Sequence, residues 1–471
     1  MSSVIDELRV QVNGHAIAQG DVEYEAARAV YNGMIDRRPA AVVRVGNTAE
    51  VAATVNFARA RSLDLAIRGG GHSAPGYGTC DDGLVIDFSG RTRVDVDPVT
   101  RRARADAGAT WATFNEATHA HGLATPGGIV GSTGVAGLTL GGGIGYLSRQ
   151  YGLSCDNLLS AEVVTADGRI LTASSDENPD LFWALRGGGG NFGVVTSFEF
   201  QLYPVDMVHA AIIFYSVDDA RDVAEFYREY IESAPEEFGA FLGFHRGPPV
   251  GFLPEKWHDK PLCMVVGMWT GDEAEGPARW QPFLDVAPVA GALVERMPYP
   301  ELNEAFDDLL TKGLRAYWKA NFLSGLSDGA INAYLDFGRM VPSVQTSVDI
   351  YPINGAVQRV AAEATAFPYR HAAFSPVIAC MWTDPADNES NIKWVRDFWT
   401  ALRPFSEPGG YINFMDADDL GRITDNYSAN YARLATVKAK YDPGNLFHIN
   451  QNIKPAGVPM LSTFHDNAGR A

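Results

Sequence analysis

Three glycine-rich segments, at residues 69–71, 127–145 and 187–193, constrain the fold of this chain more than any other feature. The run TPGGIVGSTGVAGLTLGGGIG at residues 125–145 holds more glycine than an ordinary helix or strand tolerates, because each glycine costs up to about 1 kcal/mol there. Glycine also lets the backbone approach a ligand closely, since it has no Cβ. The three segments together predict one large, planar, phosphate-bearing cofactor that lies against bare backbone.

The first segment, RGGGHS at residues 68–73, follows the apolar run LAI and has the form of a phosphate cradle. Its three glycines present backbone N–H groups that suit phosphate oxygens. His72 directly after the cradle is unusual, because phosphate loops more often continue with Lys, Ser or Thr. On this motif alone, a tight turn followed by a hydrogen-bonded histidine explains the residues as well as a functional role does.

The third segment contains a formal G-x-G-x-x-G at Gly188, Gly190 and Gly193. In a Rossmann dinucleotide site this motif follows a strand and opens a helix. Here a predicted helix at residues 178–185 precedes the motif, and a predicted strand at residues 194–202 follows it. The inverted order argues against an NAD-binding Rossmann site.

The charge balance and the cysteines narrow the classes of function. The 471 residues include 57 Asp and Glu against 38 Lys and Arg, a net charge of −19, so neither nucleic acid nor an anionic membrane is an expected partner. The four cysteines lie far apart, without the spacing of a metal site.

The sequence contains no signal-peptide pattern and no long apolar run, so we predict a soluble, cytoplasmic protein. Its length predicts roughly two or three domains, and its acidic charge favours a small molecule as the substrate.

Hydrophobic periodicity predicts the elements that surround the glycine segments. Helices are predicted at residues 22–35, 48–60, 111–120, 178–185, 219–231 and 392–402. Strands are predicted at residues 41–45, 63–67, 84–88, 92–96, 102–107, 161–165, 169–172, 194–202, 210–215, 262–269 and 377–382. Asn47 or Thr48 is the expected N-cap of the second helix.

Further motifs accompany the glycine segments: LTLGGGIGYL at residues 138–147, LFWALRG at 181–187, YDPGNLF at 441–447 and NQNI at 450–453. With RGGGHS they resemble the FAD-linked oxidases of the vanillyl-alcohol oxidase superfamily, in the branch of 6-hydroxy-D-nicotine oxidase and berberine bridge enzyme. The resemblance covers nearly the whole chain. It implies an α+β fold with a two-subdomain, PCMH-type FAD-binding domain at residues 1–205 and 416–471. It also implies a substrate-binding domain at residues 206–415, whose antiparallel sheet is backed by helices.

The resemblance also implies the cofactor and its ligands. His72 matches the family residue that forms a covalent 8α-histidyl bond to FAD, which makes the flavin a stronger electron acceptor. The implied FAD-binding residues are Arg68, Gly69, Gly70, Gly71, His72, Ser73, Ser132, Thr133, Gly137, Gly141, Gly142, Asn157, Val195, Asn450 and Asn452. Many sugar oxidases of this branch carry a second link through a cysteine, but Val130 occupies that position, and Cys155 is expected to be a core thiol.

The family's catalytic base has no direct counterpart. Sugar oxidases use a tyrosine where this chain has Phe414, and the carboxylate of berberine-type relatives falls within VIA at residues 377–379. Tyr411 is the nearest substitute, although packing in the cleft wall explains this residue equally well. His371, Lys319 and Trp318 are weaker alternatives. An amine substrate would need no dedicated base.

These resemblances imply an FAD-dependent oxidase that takes hydride from a CH–OH or CH–NH carbon of a small metabolite. Its electrons are expected to pass to O2, which forms H2O2. Two alternatives stay open: a flavin dehydrogenase with an acceptor other than O2, and a flavin-binding protein without turnover. The oligomeric state is left open.

Overall fold

A four-stranded sheet carries the glycine cradle. The computed structural model describes residues 2–12 and 15–457. The strands of this sheet are β1 (Ala16–Ala18), β2 (Ala41–Arg44), β3 (Leu65–Arg68) and β4 (Leu84–Asp87), in the order β1-β2-β4-β3. Strands β2 and β3 both run parallel to β4, so their C-terminal ends meet at one edge of the sheet. The RGGGHS segment leaves that edge directly after β3.

A second, antiparallel sheet follows, in the order β5-β6-β10-β8-β9. Its strands are β5 (Val94–Asp97), β6 (Arg102–Asp106), β8 (Leu158–Val164), β9 (Ile170–Ser174) and β10 (Val194–Gln201), and a short ribbon pairs β7 (Leu123–Ala124) with β11 (Tyr203–Pro204). Strand β10 lies between β6 and β8 and runs antiparallel to both. The glycine loop at residues 187–193 therefore precedes an antiparallel strand, as the inverted motif predicts.

The largest sheet has seven strands, all paired antiparallel, in the order β15-β12-β14-β13-β17-β18-β16. They are β12 (Met207–Ser216), β13 (Phe238–Arg246), β14 (Pro261–Trp269), β15 (Val289–Pro298), β16 (Arg315–Ala320), β17 (Ser347–Pro352) and β18 (Phe374–Trp382). One face packs on helices, while the other faces the glycine segments. The antiparallel sheet backed by helices is thus confirmed, whereas the domain limits at residues 205 and 416 stay a prediction.

The helices lie around the three sheets and within the glycine segments. They are α1 (Ser2–Gln11), α2 (Tyr24–Arg28), α3 (Thr48–Arg61), α4 (Trp111–His119), α5 (Val135–Gly141), α6 (Ser148–Tyr151), α7 (Pro179–Leu185), α8 (Ala220–Ser233), α9 (Gly276–Asp285), α10 (Tyr299–Asn303), α11 (Asp328–Gly338), α12 (Ala356–Arg359), α13 (Asn388–Leu402), α14 (Ile423–Tyr427) and α15 (Tyr431–Tyr441). Asn47 caps α3 by accepting a hydrogen bond from the Glu50 N–H. None of the helices in the described part of the chain has the length and apolar character needed to cross a bilayer.

The helix predicted at residues 22–35 is wrong over most of its length, because α2 ends at Arg28. From there the chain runs alongside the cradle and β16. The Tyr31 N–H donates to the Gly71 carbonyl at 3.0 Å, and the Gly33 N–H donates to the Leu314 carbonyl at 2.8 Å. These long-range hydrogen bonds replace the helical ones, and a local apolar pattern does not reveal them.

The expectation that residues 125–145 lack regular structure is also wrong in part, because α5 begins at Val135. Its residues Val135, Ala136 and Leu140 are buried and pack in the same core as the first two sheets. Burial of this apolar face outweighs the low helix propensity of its two glycines.

Candidate active site

A cavity of about 320 Å³ lies between the glycine segments and the seven-stranded sheet. All three glycine segments line one side of it, and β16, β17 and β18 line the other. The chain returns to this cavity near its C-terminal end, through Phe447, Ile449, Asn450 and Gln451. Its size is within the range of pockets that enclose small ligands.

The cradle is built by close contact between two glycine segments. A Cβ added at Gly70 would lie 2.4 Å from the Gly134 nitrogen, and one added at Gly134 would lie equally close to the Gly70 nitrogen. Gly71 has a φ of +72°, which favours glycine. In contrast, a Cβ at Gly137 or Gly190 would meet nothing within 4 Å, although both residues line the cavity. These two positions leave room for a ligand against bare backbone.

A buried ion pair fixes the start of the cradle. Arg68, the last residue of β3, approaches Asp87 of β4 with Nη2 at 3.0 Å from Oδ2 and Nε at 3.1 Å from Oδ1. Although burial opposes it, this guanidinium holds the pKa of Asp87 below its usual value. Within the described residues the buried Nη1 of Arg68 has no hydrogen-bond partner.

His72 is held between an aromatic ring and two hydroxyl groups. Its ring stacks on Tyr31 with centroids 3.9 Å apart. The hydroxyl oxygen of Ser132 lies 3.1 Å from Nε2, and that of Thr133 lies 3.4 Å from Nδ1. Burial lowers the pKa of His72 to about 4, so the imidazole is neutral at physiological pH. A neutral imidazole retains a lone pair and can act as a nucleophile.

The structure brings most of the sequence-predicted residues to the cavity. Those that line it are Arg68, Gly69, Gly70, Gly71, His72, Ser73, Thr133, Gly137, Val195, Asn450 and Tyr411. Ser132, Gly141, Gly142, Asn157 and Asn452 are not among its lining residues. Asn157, for example, donates to the Tyr151 and Leu153 carbonyls and accepts from the Tyr203 hydroxyl, which gives it a structural role.

Tyr411 lines the cavity, and its phenol oxygen accepts two hydrogen bonds from the protein. The Gly143 N–H and the Asn413 side-chain amide each donate to the phenol oxygen at 2.8 Å. Burial raises the pKa of Tyr411, which is 2% exposed. Burial disfavours the phenolate that a base requires, while the two donated hydrogen bonds favour it, so the role of Tyr411 as the base stays a prediction.

Of the three weaker candidates for the base, one lines the cavity and two lie outside it. Trp318 lines the cavity, whereas His371 is exposed and lies near Glu407. Lys319 points to the opposite face of β16 and pairs with Asp418 and Asp419. Cys155 is fully buried, as predicted, and burial raises the pKa of its thiol beyond the usual range.

Two sets of residues that line the cavity were not predicted from the sequence. Gln451 lines the cavity and is 5% exposed, and neither of its amide atoms has a partner within the part of the chain described. Strand β17 places Ser347 and Tyr351 on the cavity wall. The alternation SVDIYP at residues 347–352 could have indicated a strand with a polar face.

Comparison with known proteins agrees with this geometry. Residues 39–174 match the model of the FAD binding domain, and residues 410–454 match the model named berberine and berberine like. A Bacillus subtilis protein described as the uncharacterized FAD-linked oxidoreductase YgaK is 30% identical, over 95% of this chain and 98% of its own. The chain belongs to the FAD-linked oxidoreductases.

Other relatives of this FAD-linked oxidoreductase have named activities. (R)-6-Hydroxynicotine oxidase of Paenarthrobacter nicotinovorans is 28% identical over 95% of this chain and 98% of its own. The crystal structure of 6-hydroxy-D-nicotine oxidase from Arthrobacter nicotinovorans superimposes with a TM-score of 0.82 at 25% identity, covering 94% of this chain and 98% of the other. Glucooligosaccharide oxidase of Acremonium strictum, described with a 6-S-cysteinyl, 8α-N1-histidyl FAD, gives 0.82 at 23% identity, covering 95% and 99%. The last comparison bears on the fold alone.

The cavity of the FAD-linked oxidoreductase fits its cofactor. Open space beside Gly137 and Gly190 accommodates a large ligand against backbone, and the unpartnered amide of Gln451 offers both a donor and an acceptor. The glycine segments would hold FAD, with Arg68 bracing the cradle. When bound, FAD supplies a two-electron acceptor. The protein would supply a largely apolar space beside it.

Proposed function

We propose that this oxidoreductase is an oxidase. It takes hydride from a CH–OH or CH–NH carbon of a small molecule held between the glycine segments and the seven-stranded sheet, and O2 then reoxidises the flavin to give H2O2. The observation that carries the proposal is the single cavity that joins the cradle, His72 and β16 to β18. The relative named 6-hydroxynicotine oxidase supports the oxidation of a small organic substrate.

We also propose that FAD is bound covalently through His72 alone. The cradle and the stacked Tyr31 leave the imidazole little freedom, and its nitrogen is unprotonated. Such proximity replaces several kcal/mol of activation free energy in an intramolecular attack. Val130 cannot form a second link, and Cys155 is buried outside the cavity lining. The histidyl FAD named for glucooligosaccharide oxidase is a precedent for this type of bond.

Peroxide release tests the oxidase. The protein is mixed anaerobically with alcohols, amines and phenols, and bleaching of the flavin absorbance is followed before air is admitted. We expect at least one compound to bleach the flavin, with rapid recovery and stoichiometric H2O2 in air. A reduced flavin that persists for minutes in air-saturated buffer would instead indicate a dehydrogenase. If no compound bleaches the flavin, the chain is a flavin-binding protein without turnover.

Peptide mapping tests the covalent bond. Acid-precipitated protein is expected to stay yellow, with the flavin mass on the tryptic peptide that contains His72. The His72→Ala variant should release FAD on precipitation while still binding it when folded, because the glycine cradle remains. His371→Ala, a matched change at an exposed histidine, should leave the flavin attached. Flavin on the Cys155 peptide, or in the supernatant of the unmutated protein, would contradict the assignment.

A further inference from the structure

A row of polar side chains crosses the cavity face of β17. Ser347, Asp349 and Tyr351 alternate along this strand, so they share one face of the sheet. Ser347 and Tyr351 line the cavity, and Asp349 lies between them, 2% exposed. Neither the FAD-binding motifs nor the proposed covalent bond accounts for these three residues.

Asp349 holds the two hydroxyl groups in one orientation. Its Oδ1 lies 3.0 Å from Nε2 of His245, on the neighbouring strand β13. Its Oδ2 accepts hydrogen bonds from the Ser347 hydroxyl and from the Tyr351 phenol, the latter at 3.4 Å. Because each hydroxyl uses its proton on Asp349, each presents only lone pairs to the cavity. The substrate group that meets them must therefore be a hydrogen-bond donor.

The rest of this wall is apolar. Val377, Ala379 and Met381 of β18 line the cavity beside the polar row, with Phe414 facing them. Trp318 adds one donor, because its buried Nε1 has no partner among the described residues. A sugar would bring several hydroxyl groups to this surface, and each one left unpaired would cost about 1–3 kcal/mol.

We propose that the substrate is a largely apolar alcohol whose reacting O–H donates to Tyr351. This inference rests on the proposed oxidase function and specifies its substrate class. Bound FAD would supply the two-electron acceptor for the substrate hydride, and the Tyr351 oxygen would then take the substrate O–H proton while Tyr351 gives its own proton to Oδ2 of Asp349. The product is the corresponding carbonyl compound. Tyr351 is the catalytic residue, and Asp349 is a positioning residue that acts through it.

The state of Tyr351 agrees with this role. Burial and the adjacent Asp349 carboxylate raise the pKa of Tyr351, so the phenol is neutral before reaction. A neutral phenol cannot take the proton and keep its own, but it can pass one on to a carboxylate with which it is already hydrogen-bonded. The Tyr351 to Asp349 distance of 3.4 Å is long, and such bonds tighten when substrate binds.

A substrate panel tests the class. The probes are 4-methoxybenzyl alcohol, 1-indanol, 4-methoxybenzylamine, glucose and cellobiose, and the readout is anaerobic flavin reduction. We expect the two ring alcohols to reduce the flavin about 100-fold more efficiently than either sugar, which corresponds to two unpaired hydroxyl groups. Faster reduction by a sugar or by the amine would overturn the substrate class and leave the oxidase standing. Reduction by none of the probes would overturn the class, and the wider screen for flavin bleaching decides the oxidase separately.

Variants test the proton path with the alcohol that reduces the flavin fastest. Asp349→Asn and Tyr351→Phe should each lower the limiting rate of flavin reduction about 100-fold or more, with the alcohol's Kd changed less than about threefold. Asp349→Glu should restore part of the rate. Tyr334→Phe, which removes a buried phenol on the helix-covered face, should keep the full rate. An unchanged rate in Tyr351→Phe, or a loss confined to Kd, would overturn the path.

A solvent isotope effect separates proton transfer from structural support. The unmutated protein should reduce its flavin more slowly in D2O, and Tyr351→Phe should lose that dependence. If Asp349→Asn does not fold, Tyr351→Phe carries the test, because it removes one oxygen atom from the cavity wall. Equal isotope effects in the two proteins would exclude Tyr351 from the proton path.

Discussion

Gly143 donates its backbone N–H to the phenol of Tyr411, and Asn413 donates a second hydrogen bond to the same oxygen. At the residue scale, the hydrogen-bond partners of a polar side chain near a cofactor indicate whether that side chain takes part in the reaction or supports the fold. Tyr411 and Tyr351 both line the cavity, but Tyr411 accepts a hydrogen bond from the glycine run, whereas Tyr351 donates one to a buried carboxylate. The two phenols are of one residue type but have different hydrogen-bond partners.

Tyr411→Phe should therefore affect stability more than chemistry. The loss of the acceptor leaves the buried Gly143 N–H unpaired, so the free energy of unfolding should fall by about 1–3 kcal/mol. The limiting rate of flavin reduction should fall less than about 10-fold. Denaturant titration and stopped-flow absorbance measure the two quantities. A rate loss above about 100-fold with unchanged stability would identify Tyr411 as the base.

The sequence was informative about the cradle and less so about the substrate wall. The three glycines of RGGGHS indicate a phosphate cradle, and the other motifs along the chain favour a ligand site over the tight turn that RGGGHS alone also allows. Gln451 and Asp349 carry no such signal, since an amide or a carboxylate in a loop or strand is common. Their importance follows from burial and from unpartnered atoms or paired hydroxyls, which only the fold reveals.

At the element scale, α15 is tied to two cavity segments by one lysine. The Nζ of Lys438 lies 2.7 Å from Asp442 Oδ2 and donates to the carbonyls of Asn191, at 2.7 Å, and Phe447, at 2.8 Å. Both charged side chains are 0% exposed. Burial lowers the pKa of Lys438, although the Asp442 carboxylate opposes this. This ion pair joins the third glycine segment to the C-terminal return.

Lys438→Met should be strongly destabilising. It leaves Asp442 charged and buried, which typically costs about 3–5 kcal/mol. FAD retention in the His72→Ala background should also weaken, because the return at residues 447–451 lines the cavity. Lys440→Met, on the same helix, removes an exposed pair with Asp180 and should cost less than about 1 kcal/mol. Similar losses in the two variants would contradict the role of the buried pair.

Element prediction from sequence succeeded where the pattern is local. Strands such as β4 and helices such as α3 were placed within a residue or two, because periodicity and capping specify them. The helix predicted at residues 22–35 failed because the N–H groups of Tyr31 and Gly33 donate hydrogen bonds to carbonyls of distant segments. Strand β17 was missed because it is only six residues long and half of its residues are polar.

At the scale of the whole molecule, one arginine joins the glycine run to the seven-stranded sheet. Arg149 of α6 is 3% exposed and donates to the carbonyls of Ile231, Ala234, Pro235 and Phe238. These carbonyls lie at the end of α8 and the start of β13. A fifth contact reaches Asn354 at 2.8 Å. The two sides of the cavity are thus connected by buried polar contacts, and we expect them to unfold together.

Coincident unfolding is the test. In the His72→Ala protein, flavin release and loss of tryptophan fluorescence should share one denaturant midpoint. Arg149→Met should lower that midpoint, since it leaves several buried carbonyls unpaired at about 1–3 kcal/mol each. Arg169→Met, at an exposed pair with Asp167, should not shift it measurably. Flavin release well before the loss of fluorescence in the parent protein would show that the two sides are independent.

The order of the cavity walls along the chain has a consequence for biosynthesis. The cradle at residues 69–71 is translated early, whereas Asn450 and Gln451, on the same cavity, are translated after all other parts of its wall. A nascent chain can fold its first sheets while the ribosome is still at work. It cannot enclose the flavin until residues 450 and 451 have left the ribosome, so cofactor capture is expected to follow the synthesis of the whole cavity wall.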